Sequence, residues 1–98
     1  MNYSVRFPTV SIEKHFHKAL AAVSPPKIRD EIMQAVEKLG ENPRPFGEPK
    51  IKPPLIVYHF SAQYRMRVRN FRVLYDVDDK NRIVWVLALR KRNEDTYR

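Results

Sequence analysis

The stretch Tyr64-Arg65-Met66-Arg67-Val68-Arg69-Asn70-Phe71-Arg72-Val73-Leu74-Tyr75-Asp76-Val77 carries the strongest fold signal, because basic and apolar residues alternate along its first half. Successive side chains of a β-strand point to opposite faces of a sheet. Met66 and Val68 are therefore expected in a core, with a row of guanidinium groups on the other face. That row consists of Arg65, Arg67 and Arg69.

Asn70 indicates a turn, after which the second half of the stretch is expected to pair with the first as an antiparallel hairpin. This pairing brings Arg72 near the same basic face. Guanidinium groups on one rigid face favour phosphate or carboxylate ligands, because each remains charged and donates several hydrogen bonds. The alternative is a solvated edge strand, whose basic residues prevent edge-to-edge aggregation.

Composition agrees with a polyanionic partner. The chain has 98 residues, with 19 Lys plus Arg against 11 Asp plus Glu and a net charge of +8. Such a field attracts nucleic acid, an acidic protein or an anionic membrane. The length predicts one domain over residues 1–98. The absence of cysteine excludes disulfide and thiolate chemistry and fits a cytoplasmic location. No apolar signal segment or membrane span is apparent, so no membrane partner is expected.

The N-terminal half predicts a strand followed by two helices. Tyr3–Phe7 alternates apolar and polar residues. Ser11 is the expected N-cap of a first helix, whose apolar residues recur at helical spacing. Ser24 and Pro25 are expected to begin a second helix, which stops at Gly40. The short connection predicts that the two helices form an antiparallel hairpin laid on a sheet.

The rest of the chain predicts a connection and then strands. Glu41–Pro54 contains five of the eight prolines and is expected to be irregular. Leu55–Phe60 looks extended, and Ser61–Gln63 breaks that run. Three further strands are predicted at Tyr64–Arg69, Phe71–Val77 and Arg82–Arg90. The predicted class is α+β: an N-terminal strand and a helical hairpin packed on a four-stranded, mainly antiparallel sheet, in the order β-α-α-β-β-β, with one extra short strand allowed.

Beyond the alternating strand, the sequence has an aromatic-Arg-Val-Leu-Tyr strand at Phe71–Tyr75, an apolar strand at Ile83–Leu89, the basic cluster Arg90-Lys91-Arg92 and a closing Tyr97-Arg98. This arrangement resembles the RelE/ParE superfamily of bacterial and archaeal toxins. The resemblance implies a compact helix-on-sheet domain that is neutralised by a cognate antitoxin. Members of the RelE branch cleave messenger RNA in the ribosomal A site, whereas members of the ParE branch poison DNA gyrase.

The RelE-like branch is favoured, and it implies metal-independent attack of a 2′-hydroxyl on the adjacent phosphate, with the ribosome and mRNA as partners and no cofactor. This chemistry needs alignment, proton transfer and cations around the phosphorane. The resemblance implies the catalytic residues Arg65, Arg67, Arg72, Arg92 and Tyr97, with Lys91 as the alternate for Arg92. The further RNA-binding candidates are Tyr64, Arg69, Arg90 and Lys91.

Lysines often stand in this branch where the present chain has Arg65 and Arg67. Arginine does not lose its proton in proteins, so neither residue is a convincing general base. Tyr97, Lys91 or a histidine would have to accept the proton. His15 and His17 point about 200° apart on a helix and His59 stands alone, so a structural or solvent role is expected for all three, and no metal site is predicted.

Two other functions remain open. A ParE-like toxin would bind gyrase without catalysis, and an attenuated toxin fold would have lost potency along with the usual lysines. For either active toxin, an acidic and partly disordered antitoxin segment is expected to wrap the domain and fold on binding.

Overall fold

A computed structural model describes residues 2–45 and 50–91. In chain order its elements are β1 (Ser4–Arg6), α1 (Val10–Ala21), α2 (Pro26–Lys38), β2 (Leu55–Val57), β3 (Phe60–Ala62), β4 (Tyr64–Val68), β5 (Phe71–Asp78) and β6 (Ile83–Lys91). The predicted α+β class is confirmed. No helix in the described ranges is long and apolar enough to cross a membrane.

Four strands form the main sheet in the order β1-β6-β5-β4. β1 runs parallel to β6, and the other neighbours are antiparallel, which confirms the predicted sheet. β2 and β3 form a separate antiparallel pair, called here the β2–β3 hairpin. The prediction of one extended run over Leu55–Phe60 is wrong, because the chain turns at Tyr58, whose φ is 56°. Ser61 and Ala62 lie within β3 rather than in a break.

Both helices begin near the predicted positions but use other caps. Thr9, rather than Ser11, caps α1, and its hydroxyl oxygen accepts a 3.1 Å hydrogen bond from the Ile12 backbone N–H. This bond satisfies one of the N–H groups that a helix start leaves without a helical partner. α2 begins one residue later than predicted, with Pro25 in the capping position and Ser24 outside the helix.

Gly40 has a second role beyond following the end of α2. Its carbonyl oxygen accepts a 2.6 Å hydrogen bond from the Tyr3 backbone N–H. A Cβ at this position would lie only 2.9 Å from the Tyr3 carbonyl oxygen. Glycine therefore allows the start of β1 to approach the end of the helical layer closely.

The main sheet has two different faces. The helix face packs against α1 and α2 and contains most of the core: Phe16, Leu20, Val23, Ile32, Val36, Leu39, Tyr64, Met66, Val73, Tyr75, Val84, Val86 and Leu89. The hairpin face is the opposite one. Its smaller apolar cluster, beneath the β2–β3 hairpin, consists of Ile12, Val57, Ala62, Leu74 and Leu87.

One irregularity interrupts the pairing of β5 with β6. Leu74 lies opposite Ala88 and Tyr75 opposite Val86, so Leu87 is an extra residue in β6. Such a β-bulge puts two residues of one strand opposite one of its partner. Leu87 and Ala88 both pack in the hairpin-face cluster, and Leu89 then returns to the helix face.

Candidate nucleic-acid interface

Three arginines lie side by side across β4, β5 and β6. The register pairs Arg67 with Arg72, and Arg72 with Arg90. Adjacent strands lie about 4.8 Å apart, so the three side chains start within about 10 Å of one another. Arg67 and Arg90 are exposed and Arg72 is half-buried. These three residues, called here the arginine row, form a cationic strip on the hairpin face.

Arg65 extends this basic surface along β4. It lies two residues before Arg67 on the same face, half-buried and opposite Leu74. The shared face of Arg65 and Arg67 is thus as the alternation predicted. Arg90, expected from the sequence only as an RNA-binding residue, stands in the arginine row itself.

Arg69 does not share this face, and that part of the prediction is wrong. β4 ends at Val68, and Arg69 has a φ of 53° in the turn before β5. Its guanidinium donates hydrogen bonds to both carboxylate oxygens of Glu31 on α2, at 2.8 and 3.0 Å. These bonds lower the pKa of Glu31 and raise the pKa of Arg69. The turn starts one residue earlier than the alternation predicted, so the Arg69 side chain lies on the helix side of the sheet and forms an ion pair with Glu31 on α2.

Tyr64 also lies away from the basic surface. It is only 6% exposed, and its ring stacks on Tyr75 with 5.6 Å between centroids. Its hydroxyl oxygen accepts hydrogen bonds from Nε and Nη2 of Arg44, both at 3.2 Å. Alternation thus places this ring in the helix-face core, opposite to Arg65, and the contact of Tyr64 with RNA stays a prediction.

The C-terminal candidates divide at the end of β6. Lys91 pairs with Phe71 and borders a pocket of about 300 Å³ with Phe71 and Val23, on the helix face. Lys91 thus lies on the other side of the sheet from the arginine row, which does not fit its proposed part in catalysis or RNA binding. Arg92 and Tyr97 lie outside the described residues, and their roles stay predictions.

A hydrogen-bonded network that the sequence did not predict closes the rim of the helix face. Arg44 donates to both carboxylate oxygens of Asp79, at 2.8 and 3.2 Å, and the Tyr3 hydroxyl donates to the same carboxylate at 2.6 Å. These bonds lower the pKa of Asp79 to about 2 and raise the pKa values of Arg44 and Tyr3. The network joins the segment after α2 to the β5–β6 turn, so its role is structural.

A pocket of about 290 Å³ lies at the β6 end of the arginine row. Its lining includes Arg90, Ala88, Val57, Tyr58 and His15. The His15 ring lies 5.5 Å from the Tyr58 ring, centroid to centroid, and its Nδ1 is 2.7 Å from the Ser11 carbonyl oxygen. The sequence indicated only a structural or solvent role for His15. It gave no sign that His15 lies beside Arg90, because the pocket that they share is formed with the β2–β3 hairpin, which was not predicted.

The other two histidines do not reach this pocket's lining. His17 lies 4.0 Å from the Glu13 carboxylate and contacts the Phe7 ring, 5.6 Å between centroids. His59 is exposed in the turn of the β2–β3 hairpin. Among residues 2–45 and 50–91, no group of three His, Asp or Glu side chains is arranged to hold a metal ion.

Comparison with known protein families identifies the family to which this chain belongs. The family model of the ParE toxin of type II toxin–antitoxin systems (parDE) matches residues 10–96. The chain belongs to this toxin family. The resemblance to the RelE/ParE superfamily that the sequence indicated is thereby confirmed. Comparison with curated proteins found no significant match.

Solved structures agree on the architecture. In the RelBE2 toxin–antitoxin complex of Mycobacterium tuberculosis, a chain 26% identical aligns over 94% of this chain and all of its own length, with a TM-score of 0.61. A chain of the archaeal RelE–RelB complex of Pyrococcus horikoshii is 23% identical. The alignment covers 96% of the present chain and 99% of the archaeal one, with a TM-score of 0.67. A mutant of the Escherichia coli toxin RelE in the free state is 19% identical. The alignment covers 99% of the present chain and 92% of the E. coli one, with a TM-score of 0.62. The last two similarities concern the fold alone.

Proposed function

We propose that this type II toxin is a ribosome-dependent endonuclease that cleaves messenger RNA through metal-independent attack of a 2′-hydroxyl on the adjacent phosphate. The observation that supports the proposal most directly is the register that aligns Arg67, Arg72 and Arg90 on one face. Each guanidinium can donate two parallel hydrogen bonds to phosphate oxygens and stays protonated.

The arginine row suits the charge that develops during this reaction. Attack by the 2′-oxygen builds negative charge on a phosphorane, and fixed cations stabilise that charge more than the ground-state phosphate. Arg72 stands at the centre of the row and is half-buried, so its position is the best defined of the three. Arg65 and Arg67 would align the neighbouring backbone, with Arg92 and Tyr97 completing the site from the C-terminal segment.

A cognate antitoxin is part of the proposal. The similar chain from M. tuberculosis belongs to a toxin–antitoxin complex, and the one from P. horikoshii belongs to a RelE–RelB complex. For a chain of net charge +8, the expected antitoxin has an acidic segment that folds onto the basic surface. Binding to the folded state alone should raise the melting temperature of this domain, and high salt should slow the encounter.

Primer extension on a translated message tests the proposed cleavage. The wild-type protein should produce discrete cuts within codons at the ribosomal A site. Arg72→Gln should slow cutting by about 10²–10³-fold, the usual effect of removing one transition-state donor.

Arg69→Gln is the matched control, because it removes the same charge from the helix side of the sheet. This variant should cut at close to the wild-type rate. An intact message with folded wild-type protein, or equal losses in both variants, would contradict the proposal.

One observation favours a second function. The matching family model describes the ParE toxin of parDE systems, and the ParE branch poisons gyrase. In that case the arginine row would dock on an acidic protein surface without chemistry. A supercoiling assay separates the two functions: gyrase inhibition with intact message indicates the ParE-like function, and neither activity indicates an attenuated toxin.

A further inference from the structure

His15 occupies a place that the arginine row itself cannot fill. It projects from α1 into the lining of the pocket that Arg90 also borders. The cations of the row hold phosphate but cannot accept a proton, because arginine stays charged. A nuclease of this kind still needs a proton acceptor near the attacking oxygen. Among the pocket-lining residues, the imidazole of His15 is the side chain best suited to that task.

The contact at Nδ1 sets the tautomer of this ring. Nδ1 of His15 lies 2.7 Å from the Ser11 carbonyl oxygen. A carbonyl oxygen only accepts hydrogen bonds, so Nδ1 must carry the hydrogen. In the neutral ring, Nε2 is then the nitrogen with an available lone pair. The helix thus holds His15 in the form that can accept a proton at Nε2.

Tyr58 holds the ring from the other side. It stands in the turn of the β2–β3 hairpin with a φ of 56°, in the left-handed region that bulky residues rarely adopt. Such backbone outliers concentrate at functional sites. The Tyr58 ring remains 56% exposed, yet its centroid lies 5.5 Å from that of His15. Tyr58 is therefore a positioning residue for the imidazole.

We propose that His15 is a catalytic residue whose Nε2 accepts the proton of the attacking 2′-hydroxyl, while Arg90 holds the phosphate at the same pocket. This inference rests on the proposed nuclease function. The O2′–H bond breaks as its proton passes to Nε2, the O2′–P bond forms, and the P–O5′ bond breaks. The departing 5′-oxygen takes a proton from water, and the imidazolium later returns its proton to solvent. The RNA products carry a 2′,3′-cyclic phosphate and a 5′-hydroxyl.

Cleavage of a ribosome-bound message by purified variants tests the proposal. His15→Ala should cut about 10²-fold more slowly than wild type, or slower still, as expected for loss of a general base. His17→Ala is the matched control: it removes a second exposed histidine of the same helix, outside the pocket. It should retain wild-type cutting. Added imidazole should restore part of the cutting by His15→Ala and leave His17→Ala unchanged, which a purely structural role would not produce.

Nitrogen NMR of the free wild-type protein gives a readout independent of cutting. The side-chain shifts of neutral His15 should show hydrogen on Nδ1, and Tyr58→Ala should weaken that preference. Unimpaired cutting by His15→Ala, no rescue by imidazole, or hydrogen on Nε2 would each overturn the inference while leaving the nuclease in place. A wild-type protein that makes no cuts would instead refute the nuclease and this inference with it.

Discussion

The two faces of the main sheet differ sharply, although the same strands build both. On the helix face, β4, β5 and β6 contribute Met66, Val73 and Leu89 to a buried layer beneath the helices. On the hairpin face, the neighbouring positions contribute arginines, and the β2–β3 hairpin covers only part of the surface. Because the pleat alternates side chains, a strand can serve as core and as binding surface at once. The spacing of the arginines is therefore set by the pairing of strands whose other face forms the core.

This arrangement has an energetic consequence. Like charges opposite one another on neighbouring strands are destabilising, and the register makes two such pairs, Arg67 with Arg72 and Arg72 with Arg90. The burial of apolar side chains on the other face of the same strands offsets that repulsion. Stability therefore depends on the apolar clusters and binding on the arginine row, so variants of the row should leave stability largely intact.

Truncation on the helix face should have the largest effect. Phe16 is 1% exposed within the helix-face cluster, so Phe16→Ala should lower the free energy of unfolding by about 3–5 kcal/mol in denaturant titration. That is a large share of the total stability, about 5–15 kcal/mol, of a typical domain. Arg67→Ala, at an exposed position of the other face, should stay within about 0.5 kcal/mol of wild type. Similar losses in the two variants would contradict the division.

Beneath the β2–β3 hairpin, the second face should behave as a small core of its own. Leu74 is 1% exposed there, and Leu74→Ala should lower the free energy of unfolding by about 2–5 kcal/mol. Ser61→Ala, at an exposed position of β3, should change it by less than about 0.5 kcal/mol. A small loss for Leu74→Ala would show that the hairpin covers this face only loosely.

The salt dependence of RNA binding should separate two arginines that lie two positions apart. Arg67→Gln should weaken binding of a single-stranded RNA and reduce the log–log salt slope by about 0.7, the value for one lost phosphate contact. Arg69→Gln removes an equal charge that is paired with Glu31, and its slope should match that of wild type. Equal slopes for the two variants would place phosphate contacts on both sides of the sheet.

Acid should weaken the hydrogen-bonded network of Tyr3, Arg44 and Asp79 at the rim of the helix face. Of the four effects predicted in this comparison of the faces, this one should be the smallest. Hydrogen bonds from Arg44 and Tyr3 hold the pKa of Asp79 at about 2, below its ordinary value of about 3.9. A carboxyl with a lowered folded-state pKa stabilises the fold above its unfolded pKa, and this contribution is lost as the pH falls from about 4 to about 2. Asp79→Asn should therefore have a lower melting temperature than wild type at neutral pH and nearly the same melting temperature near pH 2. A difference in melting temperature that does not change with pH would exclude the carboxylate as the cause.

Much of this arrangement could be predicted from the sequence. Alternation placed Arg65 and Arg67 on one face, and the Asn70 turn brought Arg72 beside them. Arg69 was misplaced because alternation does not mark where a strand ends, and arginine is not a residue type that signals the left-handed conformation found here. The choice between Thr9 and Ser11 as helix cap is equally local, since either hydroxyl could accept the same kind of hydrogen bond.

The larger omission was the β2–β3 hairpin. Its turn uses Tyr58 and His59 rather than the Gly, Asn or Asp that usually reveal such turns, so the sequence carries little signal for it. Without this hairpin, the pocket beside Arg90 loses the wall formed by Val57 and Tyr58, and His15 loses the Tyr58 ring beside it. The roles of the arginines stay predictions, as do those of Arg92 and Tyr97.

The extra residue in β6 controls which surface receives Arg90. If the pairing of Tyr75 with Val86 continued without Leu87 as an insertion, Phe71 would face Arg90, and Leu89 would face Arg72. A guanidinium would then point toward the helices, and a leucine would interrupt the cationic strip. Regular pairing of the same residues would therefore exchange apolar and charged side chains across the sheet, so the bulge at Leu87 sets the chemistry of the two surfaces as much as the identity of any residue in β6.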